Sequence, residues 1–268
     1  MDVLTPRSLD EALQLKAEHP VAVPIQGGTD VMVALNFDRA RPEVVLNLNE
    51  VSELRGWSRE NGSLRLGAGL TYAEALSGEL AEALPALAAA SRTVGSPQIR
   101  NRGTIGGNLG TASPAGDALP PLLVENAEVE LASVRGRRRL ALGDFLVGVK
   151  QNALEPDELI VSVLVEPSGQ PQTFMKVGPR NAMVIAVCSL AVVADRRRGE
   201  LRASFGSSSP VVRLVSAPLD EAASFPERVA AAARPIDDVR STAAYRVHAL
   251  GVLARRTLEW AQGEERRR

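Results

Sequence analysis

The sequence predicts an α+β fold, and three observations carry that prediction. Residues 1–50 read as helix, strand, glycine turn, helix and strand. From Val51 the texture changes to short alternating strands around an Asn61-Gly62 turn, followed by alanine-rich helix. Beyond Glu166-Pro167-Ser168-Gly169-Gln170-Pro171, a candidate linker, come more strands and then a helical tail. Strands grouped apart from helices, rather than alternating with them throughout, mark an α+β architecture.

The elements follow from local signals. Ser8-Leu9-Asp10-Glu11 has capping-box spacing, and Ala12, Leu13 and Leu15 continue it as a helix that ends near His19-Pro20. Val21 to Ile25 is a short strand running into the turn Gln26-Gly27-Gly28-Thr29-Asp30. Val31 to Leu35 fits one or two helical turns, and Val44 to Leu48 a buried strand. Asn61-Gly62 between two alternating runs is a hairpin signal. Thr71-Tyr72-Ala73-Glu74 is a second capping box, and Glu79 to Arg92 a helix broken only by Pro85. Ala118 to Val124 reads as helix, Ala127 to Val134 and Leu159 to Val165 as strands, and Arg135 to Arg139 as a basic hairpin tip. Thr173 to Val177, the apolar run Met183 to Ala194 and Leu201 to Gly206 make an antiparallel sheet. Phe225 to Ala233 and Ser241 to Ala261 close the chain as helices.

Composition narrows the functions. A chain of 268 residues has room for one large or two modest domains. A net charge of -1 gives no reason to expect a nucleic acid or an anionic membrane as partner. Cys188 is the only cysteine, set in an apolar run, and His19 and His248 are far apart. An intrachain disulfide and a cysteine-held cluster or zinc site are therefore excluded, and a histidine-based metal site is not expected. Redox chemistry would need a bound organic cofactor or a partner's metals. Met1 to Pro6 has no basic region leading into an apolar stretch, and the run from Met183 is too short for a bilayer. A cytoplasmic protein without a membrane span is expected.

Two glycine segments stand out. One is Gln26 to Asp30. The other runs from Arg100 to Asp117, with Gly103, Gly106, Gly107 and Gly110 beside Thr104, Asn108, Thr111 and Ser113. Glycine lets backbone turn with φ > 0 and approach a ligand closely. Successive N–H groups in such turns can cradle phosphate oxygens. Either segment taken alone is also an ordinary surface turn. Rival nucleotide motifs are missing: there is no GxxxxGK[ST], and Gly67-Ala68-Gly69-Leu70-Thr71-Tyr72 lacks the third glycine of a dinucleotide fingerprint. Two loops from two subdomains could grip one long dinucleotide between them.

The chain resembles the FAD-binding, or medium, subunit of the molybdenum hydroxylases, the family of xanthine and carbon monoxide dehydrogenases. Gln26-Gly27-Gly28-Thr29-Asp30 is similar to that family's first flavin loop, with Gln26 in place of its usual alanine. Val94 to Asn108 and Ala112 to Asp117 resemble its second loop. Phe174-Met175-Lys176-Val177-Gly178-Pro179-Arg180 and Asp237 to Arg246 resemble two later segments. Phe205 to Pro210 departs from the family's pattern, and the four-cysteine insertion of one variant is absent.

The resemblance implies a two-subdomain FAD-binding domain (PCMH-type) over 1–167, with subdomains of about 1–51 and 52–167. A smaller sheet-plus-helix C-terminal domain over 168–268 would follow. Pro24, Ile25, Gln26, Gly27, Gly28, Thr29, Asp30 and Val31 would line the adenine-diphosphate side of FAD. Thr104, Ile105, Gly106, Gly107 and Asn108 would wrap the pyrophosphate and ribityl region. Asp117 would hydrogen-bond the cofactor, Ile160 would pack near the flavin, and Lys176 would sit at its polar edge. Asp117 could instead cap the following helix, and Lys176 could be a plain sheet-edge lysine. The family implies a large molybdenum-cofactor subunit and a small [2Fe–2S] subunit as partners. Electrons would pass through FAD to NAD or another acceptor, with no catalytic acid, base or metal ligand in this chain. The alternatives are a stand-alone flavoenzyme of the same fold and a scaffold protein without cofactor.

Overall fold

A computed structural model describes residues 1–181 and 183–267, without side-chain detail for 262–267. Residues 1–50 form β1 (Asp2–Leu4), α1 (Leu9–Glu18), β2 (Val23–Ile25), α2 (Val31–Asn36) and β3 (Val44–Asn47). Their sheet is parallel, in the order β1-β3-β2, with Asp2 opposite Val44 and Val23 opposite Val45. β1 was not anticipated; three residues are too few to show a period. At α1 the Ser8 hydroxyl accepts the N–H of Glu11 at 3.2 Å. The Glu11 carboxylate takes the N–H of Arg7, at 2.7 Å, instead of closing the box on Ser8. Leu9, Ala12 and Leu13 bury one face of the helix.

The next segment folds as β4 (Trp57–Glu60), β5 (Ser63–Gly67), α3 (Gly78–Ala83), α4 (Pro85–Thr93), α5 (Pro97–Arg102), α6 (Ile105–Thr111) and α7 (Leu119–Val124). Then come β6 (Glu128–Ser133), β7 (Gly136–Ala141), α8 (Leu142–Phe145), β8 (Leu146–Gly148), β9 (Gln151–Asn152) and β10 (Leu159–Val165). The main sheet is antiparallel in the order β4-β5-β10-β6-β7. Asn61 and Gly62 both have positive φ, as the two-residue hairpin requires. Leu64, Leu66, Ile105, Leu109, Val129, Leu131, Phe145, Val161 and Val163 share one buried cluster, so α6 rests on the sheet.

The basic run is corrected by the structure. Arg137, Arg138 and Arg139 lie within the edge strand β7 and not in a hairpin tip. Arg138 binds both carboxylate oxygens of Glu158, at 2.6 and 2.7 Å, and Arg137 and Arg139 reach Glu130. Three arginines in a row show no apolar alternation, which hid the strand. They also guard the edge against unwanted pairing.

The third segment is the antiparallel sheet β11 (Gln172–Val177), β12 (Cys188–Asp195), β13 (Glu200–Gly206) and β14 (Arg213–Pro218), followed by α9 (Phe225–Ala232) and α10 (Ala243–Arg267). Cys188, Leu190, Val192, Ala203 and Phe205 face α9 and α10. Phe174, Ala191 and Val193 on the other face meet Ala86 and Ala90 of α4 and Val124 of α7. The connection at 166–171 is pinned as well, because Glu125 accepts from Ser168 and from Gln172. The apolar run from Met183 becomes strand only at Cys188; Met183 itself has φ +49°. Among the described residues no helix is long and apolar enough to cross a membrane.

A polar clamp joins α10 to the connection that precedes it. Asp238 accepts Arg246 Nη2 at 2.6 Å, Arg240 Nη2 at 2.8 Å, and the N–H groups of Arg240 and Ser241. Desolvation works against the charged carboxylate, yet these hydrogen bonds outweigh it and hold Asp238 well below the usual carboxyl range. A lowered folded-state pKa contributes stability above about pH 4, where the unfolded carboxyl is ionised, and that contribution is lost as pH falls further. Asp238→Asn should therefore lower the denaturant midpoint at pH 7 and flatten the acid limb of the stability–pH curve. Parallel curves for the two proteins between pH 5 and 3 would contradict the clamp.

Candidate functional site

The first glycine segment leaves β2 at Ile25, turns at Gly28 with φ +73°, and enters α2. That φ suits glycine. Among the described residues, no group accepts a hydrogen bond from the backbone N–H of Gly27, Gly28, Thr29 or Asp30. Asp30 stands at the start of α2 without capping it. Pro24 and Asp30 are exposed, while Ile25, Gln26, Gly27, Gly28, Thr29 and Val31 are half-buried. Unsatisfied donors gathered in one short turn form a ready anion site.

The second segment is not the φ > 0 turn that its glycines imply. Thr104 to Asn108 begin α6, and none of Gly103, Gly106, Gly107 and Gly110 has positive φ. The N–H of Ile105 goes to Leu70 O, that of Gly106 to Ala68 O, and that of Gly107 to the Thr104 hydroxyl. These donors are already spent, so free donors for an anion come from the first segment. Glycine here removes side chains instead of bending backbone. A Cβ on Gly106 would lie 2.6 Å from Ala68 Cβ and its carbonyl oxygen, so only glycine lets α6 sit this close to the sheet. Gly107 and Gly110 are exposed. Added Cβ atoms there would meet only the Thr104 hydroxyl at 3.0 Å and Ile160 Cδ1 at 3.8 Å. Each helical glycine costs ~1 kcal/mol relative to alanine. Packing against Ala68 accounts for Gly106. No protein contact accounts for the other two, which leave a bare cradle on α6.

The two segments lie side by side. Gly27 is pressed on the Arg102 carbonyl and Gly103. The Arg102 guanidinium donates to Gln26 O and Asn49 Oδ1, both at 3.1 Å. At the far end of α6 the Thr111 hydroxyl reaches Asp30 Oδ2 at 3.5 Å. The Gln26 side chain lies over Gly69. Ile160, nearly buried on β10, looks toward Gly110, whose carbonyl accepts from Asn152 Nδ2 at 2.8 Å.

Asp117 and Lys176 form a buried pair at 2.6 Å. Asp117 does not cap α7, whose start has no side-chain cap. Lys176 also donates to Thr93 O and Val184 O, so it is no plain sheet-edge lysine. Asp117 Oδ1 is buried with no partner among the described residues, an acceptor awaiting a donor. Asn108 links the pair to α6, since its Oδ1 accepts the Ala118 N–H at 3.2 Å and its side chain presses on Gly116. Burial pushes Asp117 upward, and the charge and hydrogen bond of Lys176 pull it back. Tyr72, whose ring packs on Gly103, is pushed up by burial and then by the Asp117 charge. Arg102, inside the second glycine segment, and Asn49 and Tyr72 have no site role in the sequence reading. Arg102 offered a signal, as the charged residue just before Gly103; Asn49 and Tyr72 offered none.

The residues fit a dinucleotide: free backbone donors for its phosphates, a side-chain-free helix face, and a buried polar pair with an open acceptor. Residues 1–167 match the family of the FAD binding domain in molybdopterin dehydrogenase, and the chain belongs to that family. It is an oxidoreductase component, an FAD-binding subunit of the molybdenum hydroxylase type. It is 33% identical to the xanthine dehydrogenase FAD-binding subunit of Escherichia coli O157:H7 over 213 residues, covering 76% of this chain and 72% of that one. It is 30% identical to the carbon monoxide dehydrogenase medium chain of Afipia carboxidovorans, covering 97% and 96%. A structure of carbon monoxide dehydrogenase from Hydrogenophaga pseudoflava, lacking the Mo-pyranopterin moiety of its cofactor, superposes with a TM-score of 0.90 at 25% identity, covering 98% of this chain and 97% of that one.

Lys176→Met leaves the Asp117 carboxylate buried without its cation and should cost about 3–5 kcal/mol at pH 7. Burial alone then raises Asp117. A raised folded-state pKa leaves stability untouched below about pH 4, and stability declines as pH rises from there. Denaturant melts of Lys176→Met from pH 4 to 8 should show that decline relative to the parent, and adding Asp117→Asn should remove most of it.

Proposed function

We propose that FAD lies between the two glycine segments and that this chain is the electron-transfer subunit of its complex. The N–H groups of Gly27, Gly28, Thr29 and Asp30 would hold the pyrophosphate, with Pro24, Ile25, Gln26 and Val31 along the adenine-diphosphate side. The cofactor would cross α6 where Gly107 and Gly110 leave room, past Thr104, Ile105, Gly106 and Asn108. Ile160 would flank the flavin, and Asp117 and Lys176 would meet its polar edge. When bound, FAD supplies the redox chemistry, taking electrons from the [2Fe–2S] clusters of a small partner subunit and giving them to NAD or another acceptor. A large partner subunit would carry the molybdenum cofactor and the substrate pocket. Lys176, held by Asp117, Thr93 and Val184, would place one cation where reduced flavin gathers negative charge. In this reading residues 1–167 are the flavin domain, residues 168–268 the C-terminal domain, and the protein works in the cytoplasm.

The observation that carries this reading is the row of free donors beside a helix face stripped of side chains. Gly107→Val tests it, because that Cβ meets a single protein atom, the Thr104 hydroxyl oxygen at 3.0 Å, and no backbone from elsewhere in the chain. The purified parent should be yellow, with flavin absorption. The variant should fold with a near-parental melting curve once FAD is removed from both, yet retain less than about a tenth of the bound FAD, the loss a bulky side chain in a binding path produces. Full flavin occupancy in Gly107→Val would show that the cofactor does not cross this face. Turnover by the isolated chain with a substrate of its own would instead favour a stand-alone flavoenzyme.

A further inference from the structure

The segment from Asp237 to Arg246 has no place in the cradle, yet its last residue, Arg246, is tied to backbone that supports the Asp117–Lys176 pair. Arg246 is 1% exposed. Its Nη1 donates to two carbonyls, Val187 and Ser207, each at 2.7 Å, and its Nη2 to Asp238 at 2.6 Å. Those two carbonyls belong to different parts of the chain, and each part leads to one member of the Asp117–Lys176 pair.

On one side the Ser207 N–H donates to Pro114 O at 2.7 Å. Gly206 sits so close that a Cβ would lie 2.9 Å from the same carbonyl. Asp117 follows Pro114 by three residues, and Ser113 O accepts the Gly116 N–H at 2.8 Å, closing that short turn. On the other side the Val187 N–H donates to Val177 O at 2.8 Å, the residue after Lys176. Val184, three residues before Val187, gives its carbonyl to Lys176 Nζ at 3.2 Å. One guanidinium thus fastens the supports of both halves of the ion pair. Arg246 meets the two carbonyls through Nη1 and Asp238 through Nη2; a lysine offers one nitrogen in place of this rigid two-nitrogen fork and does not hold both ends at their present separation.

We infer that Arg246 is a positioning residue: it sets the separation and depth of the Asp117–Lys176 pair, and through that pair it tunes the flavin. The second half rests on the placement of FAD proposed above. Arg246 then tunes the cofactor without touching it.

Two measurements on the full chain test this separately from the flavin reading. The first uses flavin-free protein and amide hydrogen exchange. Arg246→Lys, and independently Asp238→Asn, should speed exchange at Gly116 and Val187 by roughly tenfold or more beyond any change in β10, since local opening need not involve the rest of the fold. Unchanged exchange at both segments in both variants overturns the positioning role, and so does an equal rise throughout the chain. The second uses FAD-loaded protein and the flavin midpoint potential. Lys176→Met should lower the potential, Arg246→Lys should lower it less, and the double variant should match Lys176→Met alone, because coupled residues are non-additive. Additive shifts, or a parental potential in Arg246→Lys, overturn the tuning role. A chain that takes up no FAD, or a Lys176→Met protein with parental potential, would sink the flavin placement and its tuning while the exchange result still decides the positioning.

Discussion

The structure depends on a close approach of backbones that admits no side chain. α6 lies on Ala68 through Gly106, and the turn after β2 lies on Arg102 and Gly103 through Gly27. Each contact puts a position that any other residue would fill against carbonyl groups that cannot move without disturbing the strand or helix that carries them. The first seats α6 on the antiparallel sheet. The second brings the parallel unit of residues 1–50 against the start of α6. Together they set the free N–H groups of Gly27 to Asp30 beside the exposed glycines of α6, and the cradle exists only because both contacts hold.

Polar groups follow the same economy. The N–H groups that open α6 are consumed by Leu70, Ala68 and Thr104, which locks that helix end and leaves the donor role to the first segment. The Asp117–Lys176 pair is buried and nearly closed, with one carboxylate oxygen left open. A buried ion pair is a poor source of net stability, since desolvation offsets most of its attraction. In the proposed placement of FAD, that cost is what keeps a fixed cation beside the redox cofactor.

The third unit shares in the site through packing. β11 supplies Lys176, β13 ends at the glycine that presses on Pro114, and Glu125 ties Ser168 and Gln172 to the end of α7. It buries one sheet face on its own helices and the other on α4 and α7. The third segment is therefore coupled to the rest of the chain through apolar surface as well as through polar contacts.

Local signals in the sequence determined most of the elements. The Asn61-Gly62 hairpin, the Thr71–Glu74 capping box, the break at Pro85 and the strand Leu159–Val165 all form where their residues point, because turn geometry, capping and a run of β-branched and apolar residues act locally, although that strand is buried on both faces instead of alternating. Family membership was equally legible, since four separated motifs carry it. Tertiary structure decided the rest. β1 is a strand only because β3 lies beside it, and the arginines of β7 form a strand because Glu130 and Glu158 face them. The glycines of α6 looked like a turn and proved to be a helix. Local propensity counted their cost, while the reason for them, the nearness of Ala68 and an open face, lies in residues distant along the chain.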